Sequence, residues 1–118
     1  MAITPKTLLL LAGFLPLTVP ATELVYMTGR QLLDYCGSTD AATLDRGLCE
    51  GYLTGLADGA TTLRTWQRAA PGFCVPADAS PFKLRRVFVE WAQEYESELN
   101  NAAAGLALNA FRQHFPCR

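Results

Sequence analysis

Apolar residues recur at the spacing of an α-helix in four stretches of this 118-residue chain, and no stretch has a convincing strand pattern. The first stretch follows Thr28, whose hydroxyl forms a capping box with the Gln31 amide three residues later. The inward positions that follow are Leu32, Leu33 and Cys36. We therefore predict that the first helix begins directly after Thr28.

The second predicted helix is the longest and runs from Thr43 or Asp45 to about Thr65. Its apolar residues repeat at helical intervals, which places them on one face. They are Cys49, Tyr52, Leu53, Leu56, Ala60 and Leu63. Inside the same helix Gly51, Gly55 and Gly59 lie four residues apart. Because a helical glycine costs about 1 kcal/mol relative to alanine, we expect close packing against these glycines, within the subunit or across a dimer.

The remaining two helices complete a small four-helix, up-and-down, all-α bundle. Ser80 is the expected N-cap of the third helix, and Pro81 occupies its first position. Ser97 is the expected N-cap of the fourth helix.

The fourth helix is apolar on two sides. The first stripe consists of Leu99, Ala102, Ala103, Leu106 and Ala110, and the second of Ala104, Leu108, Phe111 and Phe115. A helix of this kind is central in a bundle or covered by a partner. Because four short helices offer little to cover the second stripe, we predict that a second copy of the protein or an N-terminal segment covers it. The second stripe is thus our predicted dimer interface.

Residues 1–21 have the features of a secretory signal peptide. Lys6 supplies a short positive region, residues 8–17 are an apolar run, and residues 19–21 form a small-residue cleavage site. The apolar run is too short to span a bilayer of about 30 Å as a helix. We therefore expect residues 22–118 to form one periplasmic domain that does not associate with the membrane.

Four cysteines in an oxidising compartment indicate two disulfides. In an up-and-down bundle the first helix ends where the second begins, so we expect Cys36 to pair with Cys49. The second and fourth helices run in the same direction, so the loop with Cys74 and the C-terminus with Cys117 share the other pole and pair. A zinc site is the competing interpretation, but the chain has no Cys-x-x-Cys pair and a single histidine, His114. We expect no metal and no cofactor.

Charge and side-chain chemistry argue against two broad functions. Of the ten basic residues Lys6 leaves with the signal, so nine remain against eleven acidic ones, without the clustered positive charge that nucleic-acid binding needs. The one basic pair, Arg85 and Arg86, fits a solvated helix face. With all cysteines oxidised and one histidine, no activated nucleophile stands out. We predict a binding protein, not an enzyme.

An ordered set of motifs resembles the Rap/Tai immunity proteins of bacterial type VI secretion. The motifs comprise Gly29, Leu32, Leu33 and Cys36, then Cys49, Gly51, Tyr52, Leu53, Gly55 and Asp58, then Phe73, Cys74 and Pro76, and finally Ala110, Phe111, Phe115, Pro116 and Cys117. The resemblance implies a small helical periplasmic protein, often dimeric, that binds and blocks a toxic effector, commonly a peptidoglycan amidase. The chain departs from the family at residues 95–97, where Tyr-Glu-Ser replaces a His-Pro.

The loop after the second helix is the predicted effector-binding site. Trp66, Arg68 and Phe73 lie in or beside a proline-rich segment that Cys74 would anchor. Trp and Arg are frequent hot-spot residues in interfaces, and an anchored loop loses less entropy on binding. Alternatively, Trp66 and Phe73 close the end of the core. The alternative function is a periplasmic stress factor, a helical chaperone-like binding protein with many weakly bound clients.

Overall fold

The computed structural model describes Gly13 and residues 25–38, 43–70 and 72–118. These ranges form four helices: α1 (Gly29–Gly37), α2 (Thr43–Trp66), α3 (Pro81–Glu94) and α4 (Ala103–His114), with a 3₁₀ turn over Glu96–Glu98. The ranges contain no β-strand, and every helix contacts the other three. The predicted all-α four-helix bundle is confirmed. The predicted signal peptide, residues 1–21, lies outside the described residues apart from Gly13.

Side chains cap the first and third helices as the sequence predicts. At α1 the Gln31 amide N–H donates to Thr28 Oγ1 at 3.3 Å, and the Thr28 N–H donates to Gln31 Oε1 at 2.9 Å. At α3 the Lys83 N–H donates to Ser80 Oγ at 3.2 Å, and Pro81 is the first helical residue. Each cap satisfies donors that the first helical turn leaves without a partner.

The start of α4 differs from the prediction. Ser97 lies in the 3₁₀ turn, and α4 begins six residues later, at Ala103, without a side-chain cap. Backbone bonds to the start of α1 replace the cap: the Ala103 N–H donates to the Met27 carbonyl at 2.9 Å, and the Gly29 N–H donates to the Asn101 carbonyl at 2.9 Å. The starts of α1 and α4 are therefore joined by reciprocal backbone hydrogen bonds.

Gly29 allows α1 and α4 to approach closely. A methyl group at this position would overlap the Leu106 side chain and lie 3.2 Å from the Leu99 carbonyl oxygen. Because the backbone at Leu99 cannot move aside as a side chain can, the contact between the two helices requires glycine here.

The core lies between all four helices and includes residues from both apolar stripes of α4. Its largest fully buried side chains are those of Leu32, Cys49, Leu53, Phe88, Leu99 and Phe111. Phe115 is also buried, whereas Ala104 and Leu108 are half-buried. The expectation that a single bundle cannot cover the second stripe is therefore wrong for Phe111 and Phe115. Phe73 supplies the missing cover, since its ring packs edge-on against that of Phe111 at 5.6 Å between centroids.

The second helix extends beyond its neighbours. With 24 residues α2 is about 36 Å long, against about 21 Å for the 14 residues of α3. None of its residues 61–66 is buried, and Leu63, predicted to face inward, is exposed. Ala57 is buried on the inner face instead.

The three glycines of α2 pack against nothing within the described chain. A Cβ atom added at Gly51, Gly55 or Gly59 would meet no other group within 4 Å, and all three residues are exposed. The expectation of close packing within the subunit is wrong, because the glycines lie on the side of α2 that faces away from the core. Their cost in helix stability is not recovered by any contact in the described residues.

Both predicted disulfides are present. Cys36 pairs with Cys49 and Cys74 pairs with Cys117, with Cα atoms 5.0 Å apart in each case. The first bond joins the end of α1 to the start of α2. The second joins the loop after α2 to the residues after α4, and so fixes that loop to the bundle.

Candidate interaction surface

The exposed end of α2 and the chain that follows it form a protruding tip, defined here as residues 64–73; Pro71 lies outside the described residues. Trp66, the last residue of α2, is 76% exposed, and Arg68 is exposed beside it. The structure thus leaves two of the three predicted effector-binding side chains free to contact a partner.

The backbone reverses direction at Arg68. This residue has φ = 51°, in the left-handed region that glycine favours. The turn is closed by hydrogen bonds from the Gln67 N–H to the Leu63 carbonyl at 2.9 Å and from the Ala69 N–H to the Arg64 carbonyl at 3.0 Å. The left-handed conformation therefore ends α2 and turns the chain back toward the bundle.

Arg64 holds the returning chain. Its Nη1 donates to the Ala70 carbonyl at 2.9 Å, and its guanidinium lies 5.7 Å from the centroid of the Phe73 ring. A methyl group at Gly72 would overlap this guanidinium, so glycine makes room for it. Arg64 was not among the predicted contact residues, because no local pattern in the sequence shows that its side chain bonds to a carbonyl six residues later.

Phe73 is the last residue of the tip, and its side chain packs into the core and not on the surface. The side chain is 6% exposed, so a partner could reach it only if the loop moved. The effector contact at Phe73 stays a prediction, and its burial favours the alternative that Phe73 closes the core; for Trp66, which is 76% exposed, that alternative is wrong. Immediately after it, the Cys74 N–H donates to the Phe115 carbonyl at 2.8 Å. This bond and the disulfide to Cys117 anchor the base of the tip.

A groove of about 480 Å³ runs beside the tip, between α2 and the loop that precedes α3. Its walls are mostly apolar and include Phe73, Val75 and Leu84, while Asp58 is the one charged residue that lines it. Among the described residues no basic side chain forms an ion pair with Asp58. The groove therefore gives this side of the tip a negative edge.

A second groove, of about 460 Å³, lies near the end of α1 and is lined by Phe82 together with Arg46, Arg85 and Arg86. Two of the three arginines form ion pairs within the chain. Arg85 Nε lies 3.6 Å from a Glu50 oxygen, and Arg86 donates to Glu90 at 3.0 Å. Arg85 also lies over the Phe82 ring, 5.0 Å from its centroid. Arg85 is therefore a structural side chain and not a solvated one, while Arg86 remains exposed.

No group of three or more His, Cys, Asp or Glu residues in the described ranges could hold a metal ion. Burial raises the pKa of the Tyr52 phenol above its ordinary value, so Tyr52 is even less able to supply an oxyanion at neutral pH than an exposed tyrosine. His114 is exposed, with its ring 4.8 Å from that of Phe115.

Comparison with protein families adds the decisive observation. A family model described as Rap1a immunity proteins matches residues 28–117, which include all four helices and both disulfides. The chain belongs to the Rap1a immunity protein family. Comparisons with curated proteins and with solved structures found no match. As a Rap1a immunity protein the chain acts against a secreted effector, and proteins of this kind are generally not enzymes. None of the described helices is both long and apolar enough to cross a membrane.

Proposed function

We propose that this Rap1a immunity protein, after loss of residues 1–21, protects its producer in the periplasm by binding one cognate type VI secretion effector. The proposed effector is a peptidoglycan-degrading amidase, and the proposed contact is the tip, with Trp66 and Arg68 as its main binding residues. The single observation that carries the proposal is the exposure of these two side chains on a segment that is fixed at both ends.

The fixation matters because binding is opposed by the entropy lost when side chains and loops become ordered. Here Arg64 bonds to the Ala70 carbonyl, and the Cys74–Cys117 disulfide anchors the base. The tip therefore needs little further ordering when a partner binds. Trp and Arg are also among the residue types that contribute most to interface energies.

The shape of the tip fits an enzyme as partner. The end of α2 projects beyond the core, and the Trp66 side chain stands on its outer surface. Enzyme active sites are concave, so a projecting, rigid tip can occupy such a cleft and exclude the substrate. Inhibition then requires binding alone and no chemistry from the immunity protein.

The test is the double variant Trp66→Ala/Arg68→Ala, measured by calorimetric titration with the effector encoded beside the immunity gene. We expect affinity to fall by at least about 100-fold, because each side chain is a hot-spot type. The melting temperature should change little, since neither side chain is buried. The matched control is Tyr26→Ala/Arg30→Ala, which removes an exposed aromatic and an exposed arginine at the start of α1 and outside the tip.

Unchanged affinity in the tip variant would place the effector contact elsewhere. Failure of the unaltered protein to bind the neighbouring effector, combined with weak binding to many unfolded proteins, would favour the chaperone-like alternative.

A further inference from the structure

The groove beside the tip combines an apolar lining with a single acidic side chain. It is called the Asp58 groove here, and it lies between one side of α2, residues 73–77 and the start of α3. Ala57, Phe73 and Leu84 are the buried part of its lining. Its volume of about 480 Å³ lies within the range of ligand sites in proteins, which is about 300–1,000 Å³.

Asp58 has no partner among the described residues. Its side chain is exposed and forms neither an ion pair nor a hydrogen bond within these ranges. No basic residue lines the groove in the described part of the chain. The guanidinium of Arg64 contacts the Phe73 ring, but its Nη1 donates to the Ala70 carbonyl. The groove therefore offers a carboxylate that a cation of another molecule can pair with.

The hydroxyl groups on the same side of α2 can only accept hydrogen bonds. Thr54, Asp58, Thr61 and Thr65 lie within a sector of about 60° at 100° per residue. Thr54 Oγ1 donates to the Glu50 carbonyl at 2.8 Å, and Thr65 Oγ1 donates to the Thr61 carbonyl at 3.0 Å. A hydroxyl has one hydrogen, so each of these two oxygens keeps acceptor capacity alone. This side of the helix consequently suits a ligand that is cationic and donates hydrogen bonds.

We propose that the Asp58 groove binds a lysine or arginine side chain of the effector, with Asp58 as its counter-ion. The proposal rests on the proposed function, because the occupant belongs to the effector that contacts the tip. Lysine and arginine stems pack along apolar surface while their charged ends reach polar groups. An apolar lining with one carboxylate matches such a side chain. An apolar occupant would leave the carboxylate unpaired, and an acidic one would be repelled by it.

The groove and the tip form one continuous surface. Phe73 is the last residue of the tip and also lines the groove. Asp58 and Trp66 are separated by about 12 Å along the axis of α2, and their directions around the helix differ by about 80°. A standard interface takes about 800 Å² from each partner, which is roughly 30 Å across. One effector can therefore contact both Trp66 and Asp58.

The groove makes the contact more selective than the tip alone. Trp66 and Arg68 supply exposed side chains that clefts of different composition can accept. Asp58 requires a cation at one defined place, because an effector without it would bury an unpaired carboxylate. Penalties of this kind against the wrong partner are a common source of specificity. Asp58 is therefore a specificity-determining residue for the choice of effector.

The test is a calorimetric titration of the full chain, purified as the cell processes it, with the effector encoded beside the immunity gene. Asp58→Asn keeps the shape of the side chain and removes its charge, so we expect at least about tenfold weaker binding. Asp58→Lys places two cations together, so we expect at least about 100-fold weaker binding. Raising the salt concentration from about 0.05 M to about 0.5 M should weaken the parent more than Asp58→Asn, because salt screens the pair.

Asp78→Asn and Asp78→Lys are the matched controls. Asp78 is an exposed aspartate of the loop before α3 that does not line the groove. The same changes of charge should alter affinity there by less than about threefold. Asp58 variants that bind like these controls would overturn the proposal, as would equal salt dependence of the parent and Asp58→Asn. A large fall in the melting temperature of Asp58→Asn would also overturn it, since Asp58 would then be a structural residue.

The same titrations separate this proposal from the proposed function. If the parent binds the effector and Trp66→Ala/Arg68→Ala alone weakens binding, the groove proposal fails and the proposed function stands. If the Asp58 variants alone weaken binding, the groove proposal stands and the main contact lies outside the tip. A parent protein that does not bind the effector would overturn both.

Discussion

At residue 68 the chain leaves α2 through a left-handed backbone conformation that an arginine adopts at a cost. Such a conformation is unfavourable by about 1 kcal/mol or more for a residue with a side chain. A glycine at this position would end the helix without that cost. The arginine side chain makes no hydrogen bond among the described residues, so no such bond offsets this cost.

The first residue-scale prediction follows from this cost. Arg68→Gly should raise the free energy of unfolding by about 0.5–1 kcal/mol, because glycine accepts the left-handed conformation, and should at the same time weaken effector binding. Arg68→Ala is the control, since it removes the side chain and keeps the strained backbone. Denaturant unfolding and calorimetric titration of both variants provide the comparison. If Arg68→Gly bound the effector as well as the parent, Arg68 would have no part in recognition.

At the scale of the helices, the free N–H groups at a helix start are satisfied in two ways, by a side-chain cap or by backbone hydrogen bonds to another segment. Ser80 and Ser97 both precede a predicted helix, yet only Ser80 accepts a backbone hydrogen bond. The start of α4 is instead bound to Met27 and to Gly29 through the backbone. A serine that looks like a cap in the sequence is therefore not one when a distant segment supplies the bonds.

These two serines form a matched pair for mutation. Ser80→Ala should lower the free energy of unfolding by about 1 kcal/mol, because the Lys83 N–H loses its acceptor. Ser97→Ala should change the free energy of unfolding by less than about 0.5 kcal/mol, because the exposed hydroxyl that it removes makes no hydrogen bond. Chemical denaturation of the two variants measures the difference. Equal losses would mean that Ser97 stabilises the start of α4 after all.

The same difference between local caps and bonds from distant segments explains which features of the fold and of the candidate site the sequence predicts. The starts of α1 and α3 follow from local signals, because caps are encoded within a few residues. Both disulfides follow from the predicted order of the helices, which decides which helix ends meet. The burial of Phe73 against Phe111 joins residues 38 positions apart, and the Arg64 contact with Gly72 depends on a turn that the sequence does not reveal. The outward position of the α2 glycines likewise depends on which face α1 and α3 cover.

At the scale of the whole molecule, the two disulfides secure opposite poles and differ in access to solvent. Cys36 and Cys49 are buried in the core, whereas Cys74 is exposed at the base of the tip. The exposed bond closes a sequence separation of 43 residues, against 13 for the buried one. The pole that carries the proposed binding residues is therefore the one whose covalent link a reductant can reach without unfolding the bundle.

Stepwise reduction should consequently separate binding from folding. With limiting phosphine reductant, followed by alkylation and peptide mapping, we expect the Cys74–Cys117 bond to open first, because attack requires access to a sulfur atom. Effector affinity should then fall by about tenfold, as the tip must be ordered on binding, while far-ultraviolet circular dichroism still reports a helical bundle. A Cys74→Ser/Cys117→Ser variant should match the partly reduced protein in affinity. Simultaneous opening of both disulfides would contradict this prediction. It would show that the two poles unfold together and that the Cys74–Cys117 bond does not stabilise the tip independently of the bundle.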